Sequence, residues 1–268
     1  MDYASAMAQS TRVTSKHRNY PALYDQVIQT LPPDPTVLEI GIANGGGLQT
    51  WRTIFGPRAR IAGIDLNPRA VEMREEGFEV FIADTGEPST WEALARSFPG
   101  TVDLLVDDGG HTNKQQIAAL VHGIDLVRDG GWIVIEDVHA SFMALFGNPS
   151  PFSAAHFLEQ VQSDLHRRHP RSSVQPRRPK LAGRIGQVIT ATSWVGLRIA
   201  GPEPEAFDEV VAGQDASLMD YDHRFDSSAL SGLAGRLPAA VAQPLRTNAR
   251  RAASALQTRH YFGPGRHR

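Results

Sequence analysis

The sequence predicts an α/β fold: a doubly wound, mostly parallel seven-stranded sheet that ends in an antiparallel C-terminal hairpin. Three observations carry this expectation. Short apolar runs of strand length alternate with helical stripes between residues 36 and 135, the pattern of right-handed βαβ units with helices on both faces of the sheet. The first run opens directly into a glycine-rich turn, Gly41 to Gly47. The next two runs end against the acids Asp65 and Asp84, and carboxyl ends of parallel strands are where ligands bind in such sheets.

The elements follow in order. Residues 1–18 are small and polar and read as a flexible arm. From Tyr20, Leu23, Val27, Ile28 and Leu31 recur at helical spacing until Pro32, Pro33 and Pro35 stop them. Thr36 to Ile40 is the first strand, and Leu48, Trp51 and Phe55 stripe the helix after the glycine turn. Arg60 to Leu66 is a strand, Pro68 to Glu76 a short helix, and Glu79 to Ala83 a third strand. A helix over Ser89 to Phe98 takes Ser89 as its N-cap. Asp103 to Val106 is the fourth strand, and Ile117, Leu120, Val121 and Ile124 mark the next helix. The turn Asp129-Gly130-Gly131 leads to a fifth strand, Trp132 to Ile135. Phe157, Leu158, Val161 and Leu165 stripe a helix, residues 170–180 read as a Pro- and Arg-rich loop, and Gln187 to Ser193 with Trp194 to Ile199 form the closing hairpin. The expected organisation is an arm over 1–18, one domain over 19–202, and a partly flexible extension over 203–268.

Composition narrows the chemistry. The 268 residues include no cysteine, which excludes disulfides, Cys-ligated zinc, Fe–S clusters and a Cys nucleophile. No apolar run approaches the ~18–20 residues of a membrane span, and the first 20 residues lack the apolar block of a secretory signal; a soluble cytoplasmic protein is the default expectation. The formal net charge of −2 hides alternating blocks. Residues 1–164 hold 21 acids against 11 bases, 165–202 hold eight bases and no acid, 203–226 hold eight acids and one Arg, and 227–268 hold seven Arg and no acid. Such blocks read first as solvated surface and secondly as interaction tails. Only three of the 27 basic residues are lysine.

The glycine turn and the acids point to a nucleoside. Glycines let the chain turn tightly and let a ligand approach the backbone. Asp65, 24 residues after Gly41, is placed to accept from both hydroxyls of a ribose, and Asp84 to meet an adenine amino group. The turn reads Glu39-x-Gly41-x-Ala43-x-Gly45, which is not the G-x-G-x-x-G of dinucleotide sites and carries no Lys or Arg for phosphate. It resembles motif I of class I S-adenosylmethionine-dependent methyltransferases, with Ala43 where that pattern has its second glycine. The expected cofactor contacts are Glu39, Gly41, Ala43, Asn44, Gly45, Asp65, Asp84 and Asp107.

A second constellation follows. The fourth strand runs into Asp107-Asp108-Gly109-Gly110-His111, and the fifth into Glu136-Asp137-Val138-His139. Neighbouring strands lie about 5 Å apart, so four carboxylates and two imidazoles converge beside the presumed methyl donor. Like charges so placed call for a compensating cation, and oxygen donors favour Mg²⁺. Over about residues 36–142, the "VDDGGH" and "IEDVH" segments resemble the metal-dependent sugar O-methyltransferases of macrolide antibiotic biosynthesis. The resemblance implies Asp108, Glu136 and Asp137 as ligands of a divalent cation and His111 as general base, with His139 ambiguous between substrate contact and structure. It implies transfer from S-adenosylmethionine to a hydroxyl of a vicinal diol on a glycosylated small molecule, and leaves room for a homo-oligomer.

Blander readings stand beside these. Asp107 or Asp108 could cap the following helix, Glu136 and Asp137 could pair with surface Arg, His122 reads as structural, and Trp51, Trp91 and Trp132 read as packing. Other functions on this pattern are a catechol-type O-methyltransferase acting on a phenol and a non-methylating hydroxylase component of the cephamycin type. Nucleic-acid binding through the Arg-rich blocks is disfavoured by the acidic catalytic half.

Overall fold

A computed structural model of the chain describes residues 1–201 and isolated positions between 212 and 259. Met1–Asp208 forms one compact unit and Glu209–Arg268 a second. Apart from those isolated positions, the extension expected over 203–268 lies outside the described residues.

The described strands are β1 (Thr36–Ile40), β2 (Arg60–Asp65), β3 (Glu79–Ile82), β4 (Val102–Asp107), β5 (Val127–Ile135), β6 (Ile185–Ala191) and β7 (Trp194–Ile199). They form one sheet in the order β3-β2-β1-β4-β5-β7-β6. The first five are mutually parallel, while β7 runs antiparallel to both β5 and β6. The expected doubly wound sheet and its antiparallel closing hairpin are both present. Strand order reverses between β1 and β4, which opens a crevice at their carboxyl ends.

Helices α1 (Tyr3–Met7), α2 (Tyr20–Ile28), α3 (Gly46–Phe55), α4 (Pro88–Ser97), α5 (Asn113–Gly123), α6 (Ala154–Arg167) and α7 (Pro179–Arg184) cover the sheet, with a 3₁₀ turn over Pro68–Glu76. Residues on β4 alternate between two apolar layers. Leu105 packs with Leu94, Leu120 and Ile133 on one face; Leu104 and Val106 pack with Trp51, Tyr24 and Trp194 on the other. Both layers exclude water from β4, all six residues of which are buried, as a central parallel strand requires.

Three local expectations differ. Ser89 does not cap α4: Glu87 holds the N-cap position, and Pro88, which lacks an N–H, starts the helix. Asp107 and Asp108 do not cap α5; the Thr112 side chain accepts from the Gln115 N–H instead. The turn Asp129-Gly130-Gly131 lies inside β5, because Gly130 takes φ +80° and the pairing with β4 shifts register there without ending.

The arm is built into the domain. Asp2 caps α1, which buries Tyr3 and Ala6. Tyr3 stacks on Tyr24 with ring centroids 4.6 Å apart and meets Trp51 edge-on at 5.1 Å. Residues 10–12 converge on one side-chain oxygen, Gln49 Oε1, through the Ser10 hydroxyl and the Thr11 and Arg12 N–H groups. The segment expected to be a free arm therefore lies along α3 and reaches the strand ends.

Candidate active site

The crevice between the ends of β1, β2 and β4 holds a cavity of about 310 Å³, at the lower end of small-ligand pockets. Gly41, Ala43, Asp65, Leu66, Ala83, Thr85, Gly109 and Gln115 are among its lining residues, and no Lys or Arg belongs to that lining. Such walls suit a ligand without phosphates. Leu66, next to Asp65, is 57 % exposed, an apolar side chain left at the mouth.

The turn that shapes this cavity is held by Asp65. Its Oδ2 accepts from the Ile42 and Ala43 N–H groups at 2.8 and 2.9 Å, and its Oδ1 from Asn67 N–H at 2.8 Å. Of the carboxylate's roughly four acceptor sites, these bonds leave about one, on Oδ1, for a ribose hydroxyl. Asp84 accepts from Gly86 N–H at 2.7 Å and Gln115 Nε2 at 3.1 Å. The first of these bonds, then the second, holds its carboxyl below the usual range.

The glycines of the turn face the chain itself. A Cβ on Gly41, at φ +91°, would lie 2.1 Å from the Asp108 carbonyl oxygen. On Gly46 it would meet Thr14 and the carbonyls of Arg12 and Val13, and on Gly47 the Glu39 carboxylate. Glu39 is buried and accepts from Trp51 Nε1 at 3.1 Å, so it supports the turn from beneath. Burial pushes its carboxyl up to about 7, against the opposing pull of Lys16. Among the expected cofactor contacts, Gly41, Ala43 and Asp65 line the cavity; Glu39, Asn44, Gly45, Asp84 and Asp107 are not in its lining. Gln115 and Thr85 line it without having been singled out, because neither sits in a glycine or acid motif.

The second constellation assembles where β4 and β5 end side by side. Asp107 pairs in register with Ile135, and the Glu136 N–H donates to the Asp107 carbonyl at 2.9 Å. Asp107 is buried, and burial pushes its carboxyl up to about 7 although Gly109 N–H opposes the shift. Its Oδ2 has no partner. β5 ends at Ile135 and Asp137 takes φ +54°; the consecutive acids Glu136 and Asp137 point in different directions, as neighbours along a strand do. Glu136 goes inward, 1 % exposed, where Tyr24 donates to it. Asp137 goes outward. Its Oδ1 lies 2.7 Å from the Tyr20 hydroxyl and 3.4 Å from His17 Nε2; its Oδ2 lies 3.4 Å from His111 Nε2.

Lys16 joins the two motifs. Its side chain is 2 % exposed, and its ammonium lies 2.5 Å from Asp108 Oδ2 and 2.7 Å from Glu136 Oε1. Burial works against the ammonium, but the negative charge of Glu136, with that of Asp108, outweighs it and keeps the pKa well above its usual value. Burial pushes Glu136 up while Lys16 pulls it down. Removing one partner of such a buried pair costs about 3–5 kcal/mol, so this contact fixes the arm and both carboxylates.

Among the described residues, ligand atoms of Asp108, His111 and Asp137 fall within 4.8 Å of one another, as do those of His17, Asp137 and His139. The expected set of Asp108, Glu136 and Asp137 is thus divided: Asp108 and Asp137 share a group, and Glu136 reaches Asp108 through the ammonium. His139 Nδ1 contacts the Ser193 hydroxyl. All four non-glycine residues with positive φ among those described, Ala43, His111, Asp137 and Ser193, lie in this region. Strain of about 1–3 kcal/mol per residue is retained where the surroundings over-determine it, commonly at functional sites.

Known proteins share the fold and parts of the sequence. Residues 38–138 match a family model described as a methyltransferase domain. The 8-demethyl-8-alpha-L-rhamnosyl tetracenomycin-C 2'-O-methyltransferase of Streptomyces olivaceus is 27 % identical over 54 % of this chain and 40 % of its own. The demethylmacrocin O-methyltransferase of Streptomyces fradiae is 31 % identical over 42 % of this chain and 30 % of its own. The chain spans less than half the length of these relatives. The solved MycE methyltransferase of the mycinamycin biosynthetic pathway, in complex with Mg and SAH, superposes with a TM-score of 0.67 at 19 % identity over 82 % of this chain and 58 % of that one. The fold is therefore that of class I methyltransferases, and the sequence resembles the sugar O-methyltransferases of natural-product pathways.

Proposed function

We propose that the chain is an S-adenosylmethionine-dependent O-methyltransferase that uses a divalent cation, Mg²⁺ by choice of oxygen donors, and methylates a hydroxyl of a vicinal diol on a glycosylated small molecule. The observation that carries this reading is the adjacency of two sites. A phosphate-free nucleoside cleft opens beside Asp108 and Asp137, with Asp108 lining that cleft and sharing a cluster with His111.

The donor chemistry fits both groups. Two carboxylates within reach of one another suit a hard cation, and the cleft has acids for a ribose but no base for a phosphate. Once bound, the cofactor would supply an electrophilic methyl group, and the cation would acidify and orient the acceptor hydroxyls. Asp108 and Asp137 would hold the cation, while Glu136, the third acid of the expected set, is engaged by Lys16 and Tyr24.

The protein's own groups perform the rest. Asp65 and the backbone of Gly41 and Ala43 set the cofactor's place along the cleft. His111 accepts the hydroxyl proton, and Asp137 Oδ2, 3.4 Å from its Nε2, stabilises the imidazolium. Proton transfer of this kind contributes about 10²–10⁴ in rate. Close alignment of the hydroxyl oxygen with the methyl carbon supplies much of the remainder. Phe142, Met143, Leu145 and Phe152 are exposed on the segment after Asp137, an apolar surface suited to the aglycone of a glycosylated acceptor. This surface and the named relatives favour a sugar over a catechol.

The test offers methyl-labelled S-adenosylmethionine with deoxysugar glycosides or catechols, with Mg²⁺ or with EDTA. Label enters the glycosides and is lost in EDTA. Label in the catechols alone would replace the acceptor class, and transfer undiminished by EDTA would remove the cation.

A further inference from the structure

We propose that Lys16 is the resident counter-cation of Glu136 and of one oxygen of Asp108, a positioning residue that stays in place when the divalent cation binds and confines that cation to Asp108 and Asp137. This inference rests on the cation-dependent reading above and changes its ligand set.

Geometry supports residence over displacement. The lysine side chain is buried and touches both acids within hydrogen-bond distance. Its flanks are tied on both sides. Upstream, residues 10–12 converge on Gln49, and Arg12 pairs with Glu76. Between those anchors and the lysine, Thr14 fills the space that Gly46 leaves open. Downstream, Asn19 Nδ2 donates to the Thr192 carbonyl at 3.1 Å, and the next residue, Tyr20, contacts Asp137. These contacts hold the Lys16 backbone in place, and withdrawing the ammonium would leave Glu136, 1 % exposed, facing Asp108 without its cation.

Charge and residue type point the same way. The carboxylates of Asp108, Glu136 and Asp137 are balanced by one ammonium and one divalent ion together, whereas the divalent ion alone leaves Glu136 without a counter-charge. Glu136 is also absent from the Asp108–His111–Asp137 group whose ligand atoms converge. Only three of the chain's 27 basic residues are lysine, and a compact ammonium suits this gap better than the broad fork of a guanidinium.

The experiment measures Mn²⁺ binding by electron paramagnetic resonance to the full chain carrying Glu136→Gln, Lys16→Met, or both, with thermal melts as the check on folding. Glu136→Gln should leave the Mn²⁺ dissociation constant within a few-fold of the parent. Lys16→Met should tighten it at least about tenfold, because a nearby positive charge is gone and Glu136 is free to join. The double variant should lose that gain. A loss of tenfold or more on Glu136→Gln alone would make Glu136 a ligand in the parent chain and overturn the inference, while leaving the proposed function intact. That single variant decides the matter even if Lys16→Met does not fold. No Mn²⁺ bound by any folded variant is a different failure: it removes the cation from the proposed function and takes this inference with it.

Discussion

The ends of β1 and β2 and the ends of β4 and β5 are two halves of one crevice, built by different means. The first half is made from local backbone. Asp65 and the glycine turn hold each other through N–H groups, and the acceptor and its donors are 22 and 23 residues apart in sequence. The second half is finished from afar. Lys16 reaches Asp108 and Glu136 across 92 and 120 residues, and Tyr24 reaches Glu136 across 112. A glycine turn and the acid that holds it can thus be encoded in one βαβ unit, whereas a balanced cluster of buried charge requires a segment from elsewhere in the chain.

The contrast predicts separable losses. Replacing His111 by Ala acts only on the second half. Methyl transfer should fall by about 10²–10⁴, while the dissociation constant for S-adenosylmethionine, read by calorimetry, stays at the parent value. A parallel loss of cofactor binding would mean that the two halves are one structural unit, and near-parental turnover would remove His111 as base.

That separability follows how legible each half is in the sequence. The strand order, the glycine turn and the acids at the strand ends could be read because each depends on near neighbours and on simple periodicity. Asp108, His111 and Asp137 were legible as a cluster because β4 and β5 had to be adjacent. The engagement of Glu136 was not, since Lys16 and Tyr24, which take it up, lie 120 and 112 residues away. Lys16 was hidden for another reason. Residues 1–18 show no amphipathic stripe, and what anchors them is a set of hydrogen bonds to Gln49 and a stack of Tyr3 on Tyr24. Polar anchoring leaves no periodic signal. The scarcity of lysine was the one available clue.

Gly41 is where the halves touch, so Gly41→Ala should damage both. Positive φ costs about 1–3 kcal/mol, and a Cβ at 2.1 Å from the Asp108 carbonyl oxygen adds overpacking of about 1–3 kcal/mol. The expected loss of about 4 kcal/mol in urea unfolding should accompany weaker binding of both S-adenosylmethionine and Mn²⁺. Gly77 is the control: it has φ +84° but open space around its Cβ position, so Gly77→Ala should show the strain alone and leave both ligands bound. Equal losses in the two variants would mean that Asp108 moves aside freely, and the halves are less tightly joined than the packing implies.

Glu39 sharpens the comparison from beneath, because it supports the glycine turn and also feels the charge of Lys16. Burial, the larger effect, pushes its carboxyl up to about 7 from an ordinary 4.5. The folded chain therefore holds this proton more tightly than the unfolded chain. Its contribution to stability is complete below about pH 4.5 and is lost as pH rises through 7. A shift of that size corresponds to at most about 3 kcal/mol. Glu39→Gln keeps an acceptor for Trp51 Nε1 but cannot ionise. The unfolding free energy of the parent chain should fall more steeply between pH 5 and pH 8 than that of the variant, and the gap should widen across neutrality. Parallel curves would mean that Lys16 compensates the burial of Glu39 in full, in which case its ammonium serves the turn as well as the acids at the ends of β4 and β5.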